Sequence, residues 1–425
     1  DADDRQITAT DALGHIRGTT WTANHDLNTT TDPAGASITY QHDPITNNLI
    51  GTELPTGATT TIDYTSTQHP YQPTASTDLQ GAQPDFDYDN NGNLLRAHNT
   101  NLGIDVVTQT WNTDGSLASR TDGKGALTTF DYDEHGQRVA VHLPSPRGVE
   151  RMAYDELSRP VTQIDGNGTV LRYDYDWLDR LIRITDVTGG IHDVRETRSY
   201  DRNGNLTNVT TPSARTEHTY TPRGGVQATR TTTGDVLEVV GYGYDPAGNI
   251  TWLEQPCARV DYTYDEAHRC TGVTLPGGEE IGFDYDSANR RTDTHYPGGL
   301  TVHTSYDISG RPTAVEATNT TTNTRLDRST YRYTLDDDTD TTLIREITGL
   351  FSPTPTGAAA LCDYDGLGRL IQAGPHTYTF DDATNLTSFN EGQPASFSIN
   401  DADQYTSYNS QSLGCDRTGQ LTATH

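Results

Sequence analysis

The sequence has few apolar residues and few bases. Apolar and aromatic residues make up 32% of the 425 residues, against roughly 45–50% in an ordinary globular domain, which argues against a conventional α/β enzyme core of this length. Acidic residues outnumber basic ones 59 to 29, giving a net charge of −30. This balance disfavours a nucleic-acid binder and docking on anionic lipid. Because no apolar run approaches about 18 residues, we expect no transmembrane helix.

Cysteine and lysine are scarce as well. The four cysteines contain no Cys-x-x-Cys pair and predict neither a disulfide framework nor a structural zinc site. A disulfide between Cys257 and Cys270 remains open, whereas Cys362 and Cys415 occupy repeat or strand-edge positions that favour small buried thiols. Lys124 is the only lysine, and we infer no mechanism from it. No sequence pattern indicates a metal, a cofactor or a catalytic residue.

Aromatic residues, by contrast, are plentiful and recur in one motif. The 23 Tyr, 7 Phe and 4 Trp argue against disorder, because disordered segments contain few aromatics. The segment Phe86-Asp-Tyr-Asp-Asn-Asn-Gly-Asn-Leu94 returns, with variations, along the chain. The span from Tyr88 to Tyr306, 218 residues over ten intervals, gives a period of 21.8 residues. The clearest copies of its aromatic, aspartate and glycine are Tyr88, Asp89, Gly92, Tyr132, Asp133, Gly136, Tyr200, Asp201, Gly204, Tyr244, Asp245, Gly248, Tyr306, Asp307, Gly310, Tyr364, Asp365 and Gly368.

One copy of the motif explains how a repeat folds. Phe86 and Tyr88 alternate with aspartates, which is the two-residue period of a β-strand and places the aromatics on one face. Asp89 can cap a turn with its carboxylate, Gly92 permits a positive φ, and Leu94 begins the return strand. A turn longer than two residues fits this spacing.

The predicted fold class is therefore all-β, a long antiparallel ribbon of tandem hairpins coiled into a spiral or hollow shell. A ribbon must protect its edges, and the repeat is too short for a propeller blade of roughly 40 residues. We find no segment with a helical apolar stripe.

The period divides the chain into four stretches. Residues 1–39 form an N-terminal β segment or partial repeats, and residues 40–320 are tandem repeats of about 22 residues. Residues 321–361 form an irregular repeat with an inserted loop, marked by Asp336–Asp338, Pro353, Pro355 and Gly357. Residues 362–425 return to the repeat, and we expect them to continue into further sequence. The Asp-Ala-Asp-Asp start is what we expect of a mature product or an excised fragment.

The Tyr-Asp-x-x-Gly-(Asn/Arg)-(Leu/Ile) repeat resembles the YD-repeat, or Rhs-repeat, family over nearly the whole chain. This family includes bacterial Rhs and wall-associated polymorphic toxins, the B and C components of insecticidal toxin complexes, and teneurins. The resemblance implies a ribbon that spirals into a hollow shell, enclosing a C-terminal toxin in bacteria or serving adhesion in teneurins. The family's self-cleaving core has paired Asp-Pro-x-Gly elements. Here Asp32–Gly35 and Asp245–Gly248 stand apart inside the chain, so no proteolytic activity is carried over.

Two further features of the sequence, a calcium-like segment and the tryptophans, could bind a ligand. Asp87-Tyr-Asp89-Asn-Asn91-Gly92 resembles the start of a calcium loop, but His98 stands where a bidentate glutamate is needed, and turn chemistry is favoured. Weak calcium binding by the many acidic turns stays open.

The tryptophans, which could stack on sugars, are Trp21, Trp111, Trp177 and Trp252. For Trp111 and Trp177, which lie in or beside repeat motifs, packing is favoured.

The sequence thus predicts a structural, non-enzymatic protein, secreted or at the cell surface. It would enclose or display another polypeptide such as a C-terminal toxin, and its partners would be that cargo or neighbouring copies of the chain. One alternative is an extracellular adhesion or carbohydrate-binding scaffold that meets a glycan or receptor. A second is an enzyme acting on polysaccharide, which would require two carboxylates with separated pKa values.

Overall fold

The computed structural model describes residues 3–79, 81–334, 340–349, 351–354, 357–418 and 420–424. The chain divides into two compact units. Unit 1 comprises Asp1–Ala126, Ile281–Ile399 and Tyr405–Gln411, and unit 2 comprises Leu127–Glu280, Asn400–Gln404 and Ser412–His425.

Unit 1 begins with eleven strands, each paired antiparallel with the next. They are β1 (Thr8–Thr10), β2 (Ile16–Trp21), β3 (Leu27–Thr31), β4 (Ser37–His42), β5 (Leu49–Glu53), β6 (Thr59–Asp63), β7 (Ala75–Thr77), β8 (Pro84–Tyr88), β9 (Leu94–Asn99), β10 (Ile104–Trp111) and β11 (Leu117–Asp122).

Unit 2 contains the next fourteen strands, paired in the same way. They are β12 (Leu127–Tyr132), β13 (Arg138–His142), β14 (Val149–Tyr154), β15 (Pro160–Ile164), β16 (Val170–Tyr175), β17 (Leu181–Asp186), β18 (Asp193–Tyr200), β19 (Leu206–Thr210), β20 (Ala214–Tyr220), β21 (Val226–Thr233), β22 (Val236–Tyr244), β23 (Ile250–Gln255), β24 (Ala258–Tyr264) and β25 (Cys270–Thr274).

The chain then adds twelve strands to unit 1 and a final hairpin to unit 2. The twelve are β26 (Glu280–Tyr285), β27 (Arg291–Tyr296), β28 (Leu300–Tyr306), β29 (Pro312–Asn319), β30 (Thr324–Arg332), β31 (Glu346–Thr348), β32 (Ala360–Tyr364), β33 (Leu370–Ala373), β34 (His376–Phe380), β35 (Leu386–Asn390), β36 (Pro394–Ile399) and β37 (Tyr405–Tyr408). The hairpin is β38 (Gln411–Cys415) with β39 (Leu421–Thr424).

Helix is almost absent from the described residues. Two single 3-10 turns, Thr188–Gly190 and Pro297–Gly299, are the helical elements found there. Among these residues no helix is long and apolar enough to cross a membrane. The predicted fold class, an all-β antiparallel ribbon of tandem hairpins, is confirmed.

The ribbon has one apolar and one polar face because its strands alternate. In β8, Phe86 and Tyr88 are half-buried and Asp87 between them is exposed. Phe86 lies directly opposite Ala97 of β9, so the two share a face. Among the described strands, substantial contacts occur between strands that follow each other in the chain. Few large side chains are therefore fully buried.

None of the four cysteines, all of which lie among the described residues, forms a disulfide. The Cys257–Cys270 disulfide that the sequence left open is therefore not formed. Cys257 lies in the turn before β24, whereas Cys270 pairs with Tyr264 at the far end of that seven-residue strand, roughly 20 Å away. A disulfide needs Cα atoms within about 7 Å. The burial predicted for Cys362 is confirmed at 4% exposure.

Part of the predicted inserted loop lies outside the described residues. This applies to Asp336–Asp338 and to Pro355. The described parts of residues 321–361 hold β30 and β31 and the start of β32.

Candidate functional site: repeat turns and the seam

The motif's Asp and Gly residues form five-residue turns, here called repeat turns. In the example at Asp201, the carboxylate Oδ1 accepts the backbone N–H groups of Asn203 and Asn205, both at 2.9 Å. The Asn205 side chain donates to Oδ2 at 2.9 Å, and the Gly204 N–H donates to the Asp201 carbonyl at 3.2 Å. Gly204 has a φ of 89°, which a side chain would strain. One carboxylate thus satisfies most of the turn's donors.

The other predicted copies share this arrangement. In each, the Asp N–H donates to the carbonyl four residues on, and the glycine N–H returns to the Asp carbonyl. The glycines have φ between 74° and 98°. These copies are Asp89 with Gly92, Asp133 with Gly136, Asp245 with Gly248, Asp307 with Gly310, and Asp365 with Gly368.

Several repeat turns lack the glycine that the motif requires. Ser158 and Asp179 take the same position with φ of 64° and 63°. Their turns begin at Asp155 and Asp176 and keep the carboxylate-to-amide bonds. The signal that identifies them is the aspartate after a strand-ending aromatic, not the glycine.

The aromatic before each repeat turn, here called the turn aromatic, ties its repeat to the preceding one. The Tyr200 hydroxyl donates to the Leu181 carbonyl at 2.9 Å, and Leu181 is the first residue of the return strand in the previous repeat. Trp111 does the same with its indole N–H, donating to Leu94 at 2.7 Å. Further bonds of this kind are Tyr88 to Pro73, Tyr154 to Arg138, Tyr175 to Pro160, Tyr220 to Leu206, Tyr244 to Val226, Tyr264 to Ile250, Tyr306 to Arg291, Tyr333 to Pro312 and Tyr364 to Ile344.

Where the turn ends in arginine, the link is reinforced. Arg180 donates through Nε to Asp176 at 2.9 Å, and its guanidinium carbon lies 4.5 Å from the centre of the Tyr200 ring. A guanidinium at this distance is attracted by the ring's π face. The same stacking occurs for Arg159 on Tyr175, Arg290 on Tyr306, Arg311 on Tyr333 and Arg369 on Phe380.

Hydrogen bonds lower the pKa of many turn carboxylates. The side chain of Asn205 has the largest effect on the pKa of Asp201, and that of Arg180 on the pKa of Asp176. Donation from the Thr418 hydroxyl, and next from the Asn167 amide, lowers the pKa of Asp416 from 3.8 to about 2. Lowered pKa values also occur at Asp89, Asp155 and Asp245.

We therefore expect thermal stability to fall at acid pH. These carboxylates bind protons less tightly in the folded chain, so their stabilisation is complete above the usual pKa of 3.8 and is lost as the pH falls through the folded values, about 2 for Asp416. Tm, followed by circular dichroism in about 0.5 M salt to screen the net charge, should vary little between about pH 7 and 5 and drop below about pH 4. A Tm at about pH 2.5 equal to that at neutral pH would contradict this account.

Late repeats also contact early ones in a seam. In unit 1, Asn99, only 2% exposed, donates through Nδ2 to the carbonyl of Gly366 at 2.8 Å, across 267 residues of sequence. Lys124 pairs with Asp381 at 3.3 Å, and both side chains are mostly buried. The chain's single lysine thus joins two repeats that are distant in sequence.

In unit 2 the seam is formed by the turns at Asp165 and Asp416. Asn167 donates through Nδ2 to Oδ2 of Asp416 at 2.9 Å and accepts the Arg417 N–H at its Oδ1, also at 2.9 Å. The Arg417 carbonyl accepts the Gly148 N–H at 3.3 Å. One residue of the late turn is therefore bound on both sides by early loops.

Four glycines make this close approach possible. A Cβ on Gly123 would lie 2.2 Å from the Asp382 carbonyl oxygen, and one on Gly166 would lie 2.5 Å from that of Arg417. Equivalent clashes, 2.2 Å with Gly166 and 2.8 Å with Asn101, arise at Gly148 and Gly366. None of these four has a positive φ, so space rather than backbone conformation requires glycine. These four residues cannot be recognised from the repeat motif because they do not occupy its glycine position.

The tryptophans differ in their surroundings. The Trp252 ring lies against Gly243, where a Cβ would come within 1.9 Å of Nε1, and Arg259 stacks at 4.9 Å from the ring. Trp21 donates to the Gln6 carbonyl at 3.0 Å. Trp177 is 86% exposed, so the packing predicted for it is wrong. It is the second residue of the repeat turn that begins at Asp176.

The aspartates of the calcium-like segment are engaged within the ribbon. Asp87 accepts from Arg96 at 2.6 Å, and Asp89 accepts two turn amides and the side chain of Asn93. Among the described residues no cluster of three or more His, Cys, Asp or Glu side chains is placed to hold a metal ion.

In several repeats of unit 2, apolar side chains lie on one face of the ribbon two residues before the turn aromatics, and Arg198 and His218 interrupt this row. This apolar row consists of cross-strand pairs, which share a face because they are directly opposite. All its members are half-buried in unit 2. Those pairs are Phe130 with Val141, Tyr173 with Ile184, Tyr242 with Leu253, and Tyr262 with Val273.

Comparison with known proteins places the chain in a family. The sequence profile of the Teneurin YD-shell family matches residues 146–421, well over half of the chain. The chain therefore belongs to the teneurin YD-shell family, as its repeats predict. A search of curated protein sequences finds no significant match.

Solved structures show the same fold at low identity. The crystal structure of TcdB2-TccC3-TEV has a TM-score of 0.77 and 15% identity, covering 96% of this chain and 26% of that one. For TcdB2-TccC3 the values are 0.74, 14%, 96% and 27%. For the Photorhabdus luminescens Tc holotoxin pore with a mutated TccC3 they are 0.73, 15%, 96% and 26%. The chain spans about a quarter of the length of these chains, and the likeness shows the fold alone.

Proposed function

We propose that this chain is part of the structural shell of a secreted or cell-surface protein, and that its apolar face encloses or displays another polypeptide. The signature Tyr, Asp and Gly residues build the wall, and the seam joins successive layers of repeats. Repeats 40–320 and 362–425 form the wall and residues 321–361 an irregular insertion in it. The role requires no catalysis.

The observation that carries the proposal is the apolar row. Tyr262 and Val273 lie opposite each other and are half-buried. Among the described residues, the substantial contacts of their strands are with neighbouring strands of the ribbon. Large exposed apolar patches are rare on soluble proteins and mark binding surfaces. The pairs of the apolar row on either side of Arg198 and His218 are candidates for such a surface. An unfolded or partly folded polypeptide offers the complementary apolar side chains.

The opposite face has the properties of an outer wall. Thr263 next to Tyr262 is exposed, and Asp131 pairs there with His142 at 2.7 Å. A net charge of −30 keeps such a surface soluble. The family's teneurin name and the Tc holotoxin among the structural neighbours support an extracellular setting.

Site-specific photocrosslinking tests which face meets the polypeptide. A benzophenone amino acid is placed at Tyr262 in one variant and at Thr263 in another. Both variants are made in the full-length product of the gene. Because adjacent strand residues point to opposite faces, the pair is matched. We expect Tyr262 to crosslink to a polypeptide other than residues 3–424, and Thr263 not to do so.

Peptide mapping by mass spectrometry identifies the crosslinked segment. Crosslinks from Thr263 alone, or crosslinks from Tyr262 confined to its neighbouring strands, would contradict the proposal. Circular dichroism checks that both benzophenone variants are folded.

A second function is favoured by Trp177. This side chain is 86% exposed, and Leu157 on the neighbouring repeat turn is 65% exposed. Arg159 joins the two turns through Asp179 at 2.5 Å. An exposed indole can stack on a sugar or anchor a receptor. Binding of a cell-surface glycan that Trp177→Ala abolishes, with the fold intact, would establish this adhesion role.

A further inference from the structure

Three Asn-Gly pairs occupy the same place in a five-residue turn. In each, the Asn N–H donates to the Oδ1 of the leading aspartate, the Gly N–H donates to that aspartate's carbonyl, and the glycine φ is 87° to 89°. The pairs are Asn91-Gly92, Asn167-Gly168 and Asn203-Gly204.

One of the three differs in what its side chain does. The amide of Asn167 bridges to the late turn, donating to Asp416 and accepting from Arg417, both at 2.9 Å. For Asn91 and Asn203 no side-chain hydrogen bond is found among the described residues. The two therefore serve as internal controls with the same turn geometry.

We propose that Asn167 is a modification site, and that hydrolysis of its side-chain amide unlatches the seam in unit 2. The Gly168 nitrogen attacks Cγ of Asn167, the new N–C bond closes a five-membered imide, and the Cγ–Nδ2 bond breaks. Nδ2 leaves as ammonia, taking up the Gly168 amide proton. Water then opens the imide, giving aspartate or isoaspartate. One water is consumed and one ammonia is released.

The local structure permits this reaction. Asn167 and Gly168 are both exposed, and no heavy atom lies within 4 Å of the position that a Cβ on Gly168 would take. Asparagine is among the least durable side chains in proteins. The bond from the Gly168 N–H to the Asp165 carbonyl, 3.0 Å long, restrains the attacking nitrogen and makes the reaction slow.

The product is incompatible with the seam. Nδ2 of Asn167 donates to Oδ2 of Asp416 at 2.9 Å. Hydrolysis replaces this donor with a carboxylate oxygen in the same place. Two like charges at this distance repel, and Asp416 cannot turn away easily because its Oδ1 accepts from Thr418 and Gln420. The change runs in one direction only, since refolding does not restore the amide.

The direct test compares Asn167→Asp, which reproduces the product, with Asn203→Asp as the matched control. Hydrogen exchange of residues 413–418 and tryptic cleavage after the exposed Arg417 report on the latch. We expect both to be at least about tenfold faster in Asn167→Asp and unchanged in Asn203→Asp. Equal rates in wild type and Asn167→Asp, or equal acceleration in both variants, would overturn the proposal.

A double variant guards against general misfolding. In Asn167→Asp/Asp416→Asn the donor and acceptor are exchanged, so the bond can re-form with opposite polarity. Asparagine can lead a repeat turn, as Asn400 does by accepting the amides of Ala402 and Gln404. We expect wild-type exchange in the double variant. Exchange at residues 413–418 that stays fast in the double variant would overturn the proposal.

Ageing of the wild-type protein tests whether the modification occurs. After incubation at mildly alkaline pH, peptide mapping should show deamidated Asn167, and only molecules carrying it should have rapid exchange at residues 413–418. An Asn167 that stays intact after Asn91 and Asn203 have converted would remove it as a modification site.

Discussion

Replacing Gly166 with alanine is expected to destabilise unit 2 by about 3 kcal/mol. The new Cβ would lie 2.5 Å from the Arg417 carbonyl oxygen, and backbone cannot move aside as a flexible side chain can. The late turn must then shift, losing its bonds to Asn167 and Gly148. Denaturant unfolding measures the loss, and hydrogen exchange at residues 413–418 locates it.

Gly277→Ala is the matched control for this substitution. Gly277 is also a turn glycine without a positive φ, but no heavy atom lies within 4 Å of the position of its Cβ. Its replacement should change stability by less than about 0.5 kcal/mol. Equal effects of the two substitutions would show that close packing at the seam does not explain the glycine.

Replacing Tyr333 with alanine is expected to lower the free energy of unfolding by about 3–5 kcal/mol. Tyr333 is 9% exposed, donates to the Pro312 carbonyl at 2.9 Å and lies under Arg311 at 4.4 Å. Alanine removes the ring, the hydrogen bond and the stacking together. Tyr333→Phe keeps the ring and should cost about 1 kcal/mol.

Tyr71→Ala provides the comparison, because Tyr71 is 70% exposed. Its substitution should change the unfolding free energy by less than about 0.5 kcal/mol. If Tyr333→Ala were as mild as Tyr71→Ala, the turn aromatics would not carry the links between repeats.

The repeat turns could be predicted because their chemistry is local. Asp89 and Gly92 lie three residues apart, and the carboxylate, the turn amides and the positive φ all belong to one short segment. The alternation of Phe86, Asp87 and Tyr88 likewise predicts a strand. A repeated local pattern therefore predicted an all-β ribbon without any knowledge of long-range contacts.

The seam could not be predicted because it joins residues about 250 apart in the chain. Nothing in the sequence around Asn167 indicates which late turn it meets. In the sequence, Gly166 does not differ from any other turn glycine. The short distance from its Cβ position to the Arg417 carbonyl oxygen shows why a side chain is excluded there. Nothing in the sequence around Lys124 likewise indicates that it pairs with Asp381.

Trp177 shows a different limit. Its place beside a motif favoured packing, but Trp177 lies within the repeat turn itself, and its ring is 86% exposed. A repeat turn that no other part of the described chain covers leaves even a large apolar side chain exposed, whereas Lys124 in the turn at Asp122 is mostly buried at the seam. Leu157, the third residue of its turn, is likewise 65% exposed.

Cryo-electron microscopy of the full-length protein tests the central claim most directly. We expect a closed wall of hairpins. Its apolar row, including Tyr173 and Tyr262, should face an internal volume that holds additional polypeptide density. The turn at Asp416 should lie on the turn at Asp165. A wall whose apolar row faces outward, or an open ribbon without an internal volume, would contradict the shell function.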